Sequence, residues 1–486
     1  MLLTLLGVAV AAAARPTWTA DLDSPGAEVV LADAGLAVGW VPGKVVGLDL
    51  LDGTVRWERP EAEDAARDDL FQPIPYTPWV LLCTIVPGPD TFELIDARTG
   101  KTAWKAREGE LVLGAWAEPG TDALVLTDQA QHPGHFGLAR VALPAGTESW
   151  RVQGVLRGQP PITPARPGPG GAFSARGTQR PRFVGDGVLT AWTPQDGVVR
   201  RGSDGKVAWR VLLPGAEAVY PLYGLADLRV DGDTAYVPIA RQRVAALDVA
   251  NGHSRWQPAR GRTRVPVCHL ATGGGDVVVA GPDAVQALRA TDGKTVWRAR
   301  LDADVLDLVV GDAVFALEKT GEVVALDPTD GHLRWRVAPV AGDTETPLGL
   351  SLAGGSVVVR QSTGAYALDA ATGAVRWQRG GEGSASLGGD PFGLAARRAR
   401  RARWHDTLFR EPAPPDAPRR AEHTWVVVQP VDGRSQAVLH RVDLATGTEQ
   451  TLPLGSERPR WLWDPTTHTA VVIDPGGHLE GYQLAR

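Results

Sequence analysis

A glycine followed four residues later by a tryptophan recurs eight times in this chain: Gly53/Trp57, Gly100/Trp104, Gly146/Trp150, Gly205/Trp209, Gly252/Trp256, Gly293/Trp297, Gly331/Trp335 and Gly373/Trp377. With 57 Gly and 17 Trp in 486 residues, random placement gives about two such pairs, so the spacing marks an internal repeat. Residues 45–57 read VVGLDLLDGTVRW, 244–256 VAALDVANGHSRW, 323–335 VVALDPTDGHLRW and 365–377 AYALDAATGAVRW. Residues 442–447 begin a ninth copy, with Thr451 in place of the tryptophan. An aspartate stands four residues before the glycine at Asp49, Asp96, Asp248, Asp327, Asp369 and Asp443; Ala142, Arg201 and Arg289 occupy that position elsewhere.

The motif reads as a β-hairpin. The residues ahead of the aspartate alternate in strand fashion, as in Val46/Leu48 and Val324/Leu326. The aspartate can accept bonds from amides two or three residues on, and the glycine takes the left-handed conformation that closes the turn. The next strand then puts the indole on a buried face, where it can fill the space between neighbouring sheets. The docking set is Trp57, Trp104, Trp150, Trp209, Trp256, Trp297, Trp335 and Trp377, with Trp18 added below. Successive tryptophans are 47, 46, 59, 47, 41, 38 and 42 residues apart. That interval suits four short strands and their turns. In one unit the expected strands are 305–310, 313–317, 322–327 and 333–337. Units of this kind arranged radially form a β-propeller, which limits exposed sheet edges.

The ends of the sequence complement each other. Residues 16–22, PTWTADL, look like the tryptophan-bearing last strand of a unit whose first three strands are missing. Residues 459–463, 469–473 and 478–484 supply three strands with no fourth. The expectation is an all-β chain, a single propeller of about ten blade-like units, closed by its N-terminal strand.

The segment Ala367-Leu368-Asp369-Ala370-Ala371-Thr372-Gly373-Ala374-Val375-Arg376-Trp377 resembles the A-L-D-x-x-T-G-x-x-x-W tryptophan-docking motif of the pyrroloquinoline-quinone (PQQ)-like propeller family. The likeness extends over nearly the whole of 15–486. It implies a propeller, eight-bladed in most members, so ten units depart from the norm. Asp-box propellers place their aromatic three residues after the glycine, and WD-type repeats end in Trp-Asp; neither pattern recurs here.

The resemblance implies two classes of function. Quinoprotein dehydrogenases bind PQQ and calcium, with adjacent cysteines on the cofactor and a Glu/Asn/Asp metal set. This chain has only Cys83 and Cys268, far apart in apolar strands. They are read as buried thiols, with a long-range disulfide as the competing reading. The other class comprises binding and assembly modules, among them outer-membrane assembly lipoproteins, whose lipidated cysteine this chain lacks. His132 and His135 form an i,i+3 pair with only Asp128 as a nearby carboxylate, short of a metal set. The pairs Asp302/Asp304 and Asp231/Asp233 are read as turns, because the EF-hand spacing is absent. No catalytic, cofactor or metal residues are assigned.

The net charge of -6 and pI near 6.0 argue against a general nucleic-acid binder. Residues 1–14, MLLTLLGVAVAAAA, have the length of a signal-peptide apolar region and offer an A-x-A cleavage site. They are too short to span a bilayer. The expected location is therefore periplasmic or secreted. Two insertions stand out: 158–182, rich in Pro and Gly, and 394–420, where LAARRARRAR reads as a short basic helix. Arg397, Arg398, Arg400, Arg401 and Arg403 make it a candidate contact for an anionic surface or an acidic partner. The resulting reading is a monomeric, non-enzymatic binding or scaffold module of the bacterial envelope, with another envelope protein as partner and no cofactor. A PQQ-dependent or other ligand-dependent enzyme and a small-ligand sensor propeller are the alternatives.

Overall fold

A computed structural model describes residues 15–22, 28–61, 71–117, 122–153, 182–212, 228–256, 263–338, 349–380, 424–454 and 460–484, with short breaks at turns and connections. Every regular element among the described residues is a β-strand, and the strands form ten small antiparallel sheets. Sheet 1 spans 28–60, sheet 2 71–105, sheet 3 110–153, sheet 4 182–211, sheet 5 229–248, sheet 6 269–300, sheet 7 305–337, sheet 8 349–380 and sheet 9 424–454. Sheet 10 takes Arg460–Asp464, Thr469–Ile473 and His478–Gln483, with Trp18–Asp21 as its fourth strand. Sheets 5 and 9 show three strands among the described residues; the others have four.

The burial pattern follows from sheets stacked face to face. Middle strands are covered on both sides and are apolar except where a charge is paired: Val314–Glu318 and Val323–Leu326 are buried at every position, and only Glu318 among them is polar. Outermost strands alternate instead, as Val55–Pro60 does. The core is a series of clusters straddling consecutive sheets. Phe315, Leu317 and Ala325 of sheet 7 pack with Val357, Tyr366 and Leu368 of sheet 8. Val471, Ile473 and Leu479 of sheet 10 pack with Ala37, Val46 and Leu48 of sheet 1. The last sheet therefore rests on the first, in the arrangement of a β-propeller. In sheet 7 the strands Val305–Val310, Val314–Glu318, Val323–Leu326 and Leu333–Val337 lie within a residue of their expected bounds.

The N-terminal strand completes sheet 10. Trp18, Thr19, Ala20 and Asp21 pair with Gly481, Glu480, Leu479 and His478. Thr17 N–H donates to Gly481 O at 2.7 Å, and Gly35 N–H of sheet 1 donates to the Asp464 carboxylate of sheet 10 at 2.6 Å.

One expectation is corrected. Spacing puts Arg201 at the aspartate position of the fourth repeat. In the usual turn the glycine N–H donates to the carbonyl four residues back, as Gly331 does to Asp327. In sheet 4, Gly205 N–H donates to Gly202 O, three residues back, and Gly202 N–H donates to Lys206 O. The hairpin is one residue shorter. Gly202 takes the turn-opening role, and Arg201 shifts back into the strand opposite Val207.

The segment 1–14, residues 158–181 of the first insertion and all of 394–420, with Arg397, Arg398, Arg400, Arg401 and Arg403, lie outside the described residues.

Candidate functional site

The tryptophans lie at the junctions between sheets. In the motif turn, Gly331 has φ +74°, which an L side chain rarely adopts. The Trp297 ring from sheet 6 rests on it so closely that a Cβ at Gly331 would be 2.5 Å from the indole. Glycine therefore serves twice, as the turn closer and as a bare platform. The same stacking joins Trp18 to Gly53, Trp57 to Gly100, Trp150 to Gly205, Trp209 to Gly252, Trp256 to Gly293, Trp335 to Gly373 and Trp377 to Gly447.

Six of the docked indoles donate their N–H to the carbonyl of the residue just after the turn aspartate position. Trp18 donates to Leu50 O at 3.0 Å, Trp57 to Ala97 O at 2.8 Å and Trp209 to Val249 O at 2.9 Å. Trp256 donates to Ala290 O at 2.8 Å, Trp297 to Pro328 O at 2.7 Å and Trp335 to Ala370 O at 3.1 Å. Trp104 departs from the pattern and donates to the Glu148 carboxylate of sheet 3 at 2.9 Å. Arg151 also bonds Glu148, and reaches Glu110 at 2.6 Å with both side chains buried. Those bonds, from Arg151 first and then Trp104, outweigh partial burial and hold the Glu148 carboxyl down at about 2.

The repeat holds a second set of bonds that the Gly-to-Trp spacing does not reveal. The residue before the tryptophan is arginine at Arg56, Arg255, Arg334 and Arg376, and each bonds the aspartate seven positions earlier. Arg334 holds Asp327 from Nε at 3.1 Å and Nη2 at 2.8 Å, while Nη1 donates to Asp312 O at 2.9 Å. Arg376 likewise spans Asp369 and Gly354 O. The arginine thus ties the motif turn to the first hairpin turn of its own sheet. Its signal was present in the quoted segments as an invariant Arg-Trp pair. The Asp327 carboxyl is held at about 2 by the Thr329 hydroxyl and amide, then Arg334; Asp369 is held at about 2 by Arg376 and then Thr372.

Sheet 7 carries a further polar cluster. Glu318 is fully buried; it accepts from Asp302 N–H at 3.1 Å and lies 3.5 Å from Arg336. Glu322 is also 3.5 Å from Arg336, which contacts Asp302 as well. Burial pushes the Glu318 carboxyl up. The cluster ties the sheet 6–sheet 7 connection to the turn between the middle strands of sheet 7. Asp304 lies 3.8 Å from Lys319, and Asp233 pairs with Arg255 at 2.6 Å in the first turn of sheet 5.

Cys83 stands in the strand Trp79–Thr84 of sheet 2, and Cys268 just precedes sheet 6, half-buried where a buried thiol was expected. The two cannot form the adjacent pair that a quinoprotein site uses. His132 lies at the start of the strand His132–Ala142, with His135 three residues on. Among the described residues no three His, Cys, Asp or Glu side chains are grouped as a metal ion would need.

Residues 94–269 and 264–391 match the family model described as outer membrane protein assembly factor BamB, which together covers more than half of the chain. The serine/threonine-protein kinase AfsK of Streptomyces coelicolor is 33% identical over 168 residues, 34% of this chain. The chain spans only 20% of that kinase's length. Among solved structures, BamB from Moraxella catarrhalis is 17% identical, covering 73% of this chain and 98% of its own, with a TM-score of 0.40. A europium-containing methanol dehydrogenase is 15% identical, covering 75% of this chain and 80% of its own, with a TM-score of 0.38.

Proposed function

Because the chain belongs to the PQQ-like repeat family described as outer membrane protein assembly factor BamB, we propose that it is a non-enzymatic binding or scaffold propeller of the bacterial cell envelope. The observation that carries this reading is the use made of the motif. The Trp, Gly, Asp and Arg of the repeat join sheets to one another and turns to turns. Such a frame is rigid, and recognition falls to the loops it presents. Its partner is another envelope protein. The Arg397–Arg403 segment supplies a positive contact for an acidic surface, and the apolar 1–14 segment directs export. Among the described residues no helix is long and apolar enough to cross a membrane.

The test is affinity capture from envelope extract with the full chain and with a variant lacking 394–420. A captured protein that then binds the purified chain directly and saturably, and binds the deletion variant more weakly, supports a scaffold using the insertion. A turnover of PQQ and Ca²⁺-dependent oxidation by the purified chain overturns the non-enzymatic reading.

The second reading is a small-ligand sensor propeller. Saturable binding of a small molecule, with no protein partner captured, would favour it.

A further inference from the structure

The shortened hairpin of sheet 4 puts a cation where the other sheets have a core apolar residue. The residue paired with the position two after the motif glycine is Leu48, Ile95, Val141, Leu288, Leu326 or Leu368 in six sheets. All are buried, and Leu368 faces the preceding sheet and its tryptophan. In sheet 4 this position is Arg201, paired with Val207. It therefore faces sheet 3, whose Trp150 ring stacks on Gly205. Arg201 Nη1 donates to Gly205 O at 3.1 Å, so both side chains converge on the same turn.

An indole donor lies at the same turn. Gly205 N–H takes Gly202 O, the counterpart of Asp327 O in the ordinary turn; among the described residues Trp377 on Gly447 also lacks an indole partner, but only the Trp150 junction adds a cation. Trp150 is 8% exposed and its N–H has no partner among the described residues. The buried Nε of Arg201 has none either. Both groups can only donate. Burial and then the neighbouring Arg210 guanidinium push the Arg201 pKa down. The carboxylates nearby in sequence are engaged elsewhere: Asp204 with Lys206, and Glu148 with Arg151 and Trp104.

We propose that the junction between sheets 3 and 4 binds a small oxyanion, a phosphate or a carboxylate, through the Arg201 guanidinium and the Trp150 indole N–H. An oxyanion offers only acceptors, neutralises the desolvated cation and satisfies both donors at once. The junction is mostly buried, which restricts it to a small free ion. This site is independent of the partner surface proposed above.

The test is isothermal titration calorimetry on the full chain with sodium phosphate and, separately, sodium acetate, each at fixed ionic strength. Arg201→Leu restores the repeat's usual residue type, and its melting temperature should equal or exceed that of the wild type. Its binding should fall by at least about 10-fold, the equivalent of a charge-assisted hydrogen bond. Trp150→Phe keeps a ring on Gly205 and removes the N–H together with part of the indole; affinity should fall about 10-fold on the same basis. Phosphate binding without acetate binding, or the reverse, identifies the chemistry. No binding of either ion to the wild type, or equal binding to Arg201→Leu, overturns the proposal. Unchanged affinity in Trp150→Phe overturns the part given to the indole.

Discussion

Replacing Trp297 by alanine tests the docking principle most directly. The side chain is 5% exposed, rests on Gly331 and donates to Pro328 O at 2.7 Å. Burying an indole removes roughly 150–250 Å² from water. At about 25 cal/mol per Å² this is about 4–6 kcal/mol, an upper range because unfolded chains already hide some surface. Deletion of large core aromatics costs about 3–5 kcal/mol, so the expected loss is about 4 kcal/mol. Trp297→Phe separates the terms. It keeps most of the packing but leaves Pro328 O without its donor, and should cost about 1 kcal/mol more than the lost volume alone. Trp150→Phe has no such bond to lose, so in the absence of anions it should cost less than Trp297→Phe. Urea unfolding by circular dichroism gives the totals. Hydrogen exchange resolved to sheets 6 and 7 shows whether the loss is local to that junction, as expected where each unit chiefly contacts its neighbours. A loss below about 1 kcal/mol for Trp297→Ala, against the 3–5 expected, would refute the view that the indole joins the sheets.

Gly481→Ala would place a Cβ 1.9 Å from the Trp18 ring; it should displace the N-terminal strand and lower the melting temperature as much as removing residues before Asp23, and unchanged melting in both would refute the role of that strand. Thr451→Trp should bring no stabilisation in a thermal melt, because the last two strands of sheet 10 come from opposite ends of the chain and form no hairpin for an indole to rest on. Glu148 is held at about 2 against an ordinary value of 4.5. A depressed carboxyl stabilises the fold above its unfolded value, and that contribution is lost as pH falls from 4.5 towards 2. Glu148→Gln should therefore show a shallower acid loss of stability than the wild type, read from melting temperatures through that window; identical acid profiles would refute the assignment.

Much of this architecture is legible without coordinates because the repeat is local. Strand alternation, the Asp-to-Gly turn and the fixed Gly-to-Trp offset all act within one hairpin, and short-range geometry leaves a periodic trace. The Arg-Trp pair left the same trace at Arg56, Arg255, Arg334 and Arg376, yet its meaning needs the sheet: the guanidinium reaches a turn some twenty residues away in sequence, as from Arg334 to Asp312. The Glu148–Arg151–Glu110 network has no motif at all, since Glu110 joins from the first strand of sheet 3.

The fourth repeat separates the two kinds of information most clearly. Its Gly205/Trp209 pair has the regular offset, and counting back from it assigns Arg201 to a turn. Backbone bonding decides otherwise: one missing residue in the hairpin moves Arg201 into a strand, on the face turned towards Trp150. In a strand, a shift by one residue moves a side chain to the opposite face. Periodic local chemistry thus determined by itself that this chain builds small tryptophan-docked sheets. Only the tertiary structure decided which carbonyls receive the indoles and where donors remain buried without acceptors, because those pairings join neighbouring sheets whose contacting residues lie tens of positions apart.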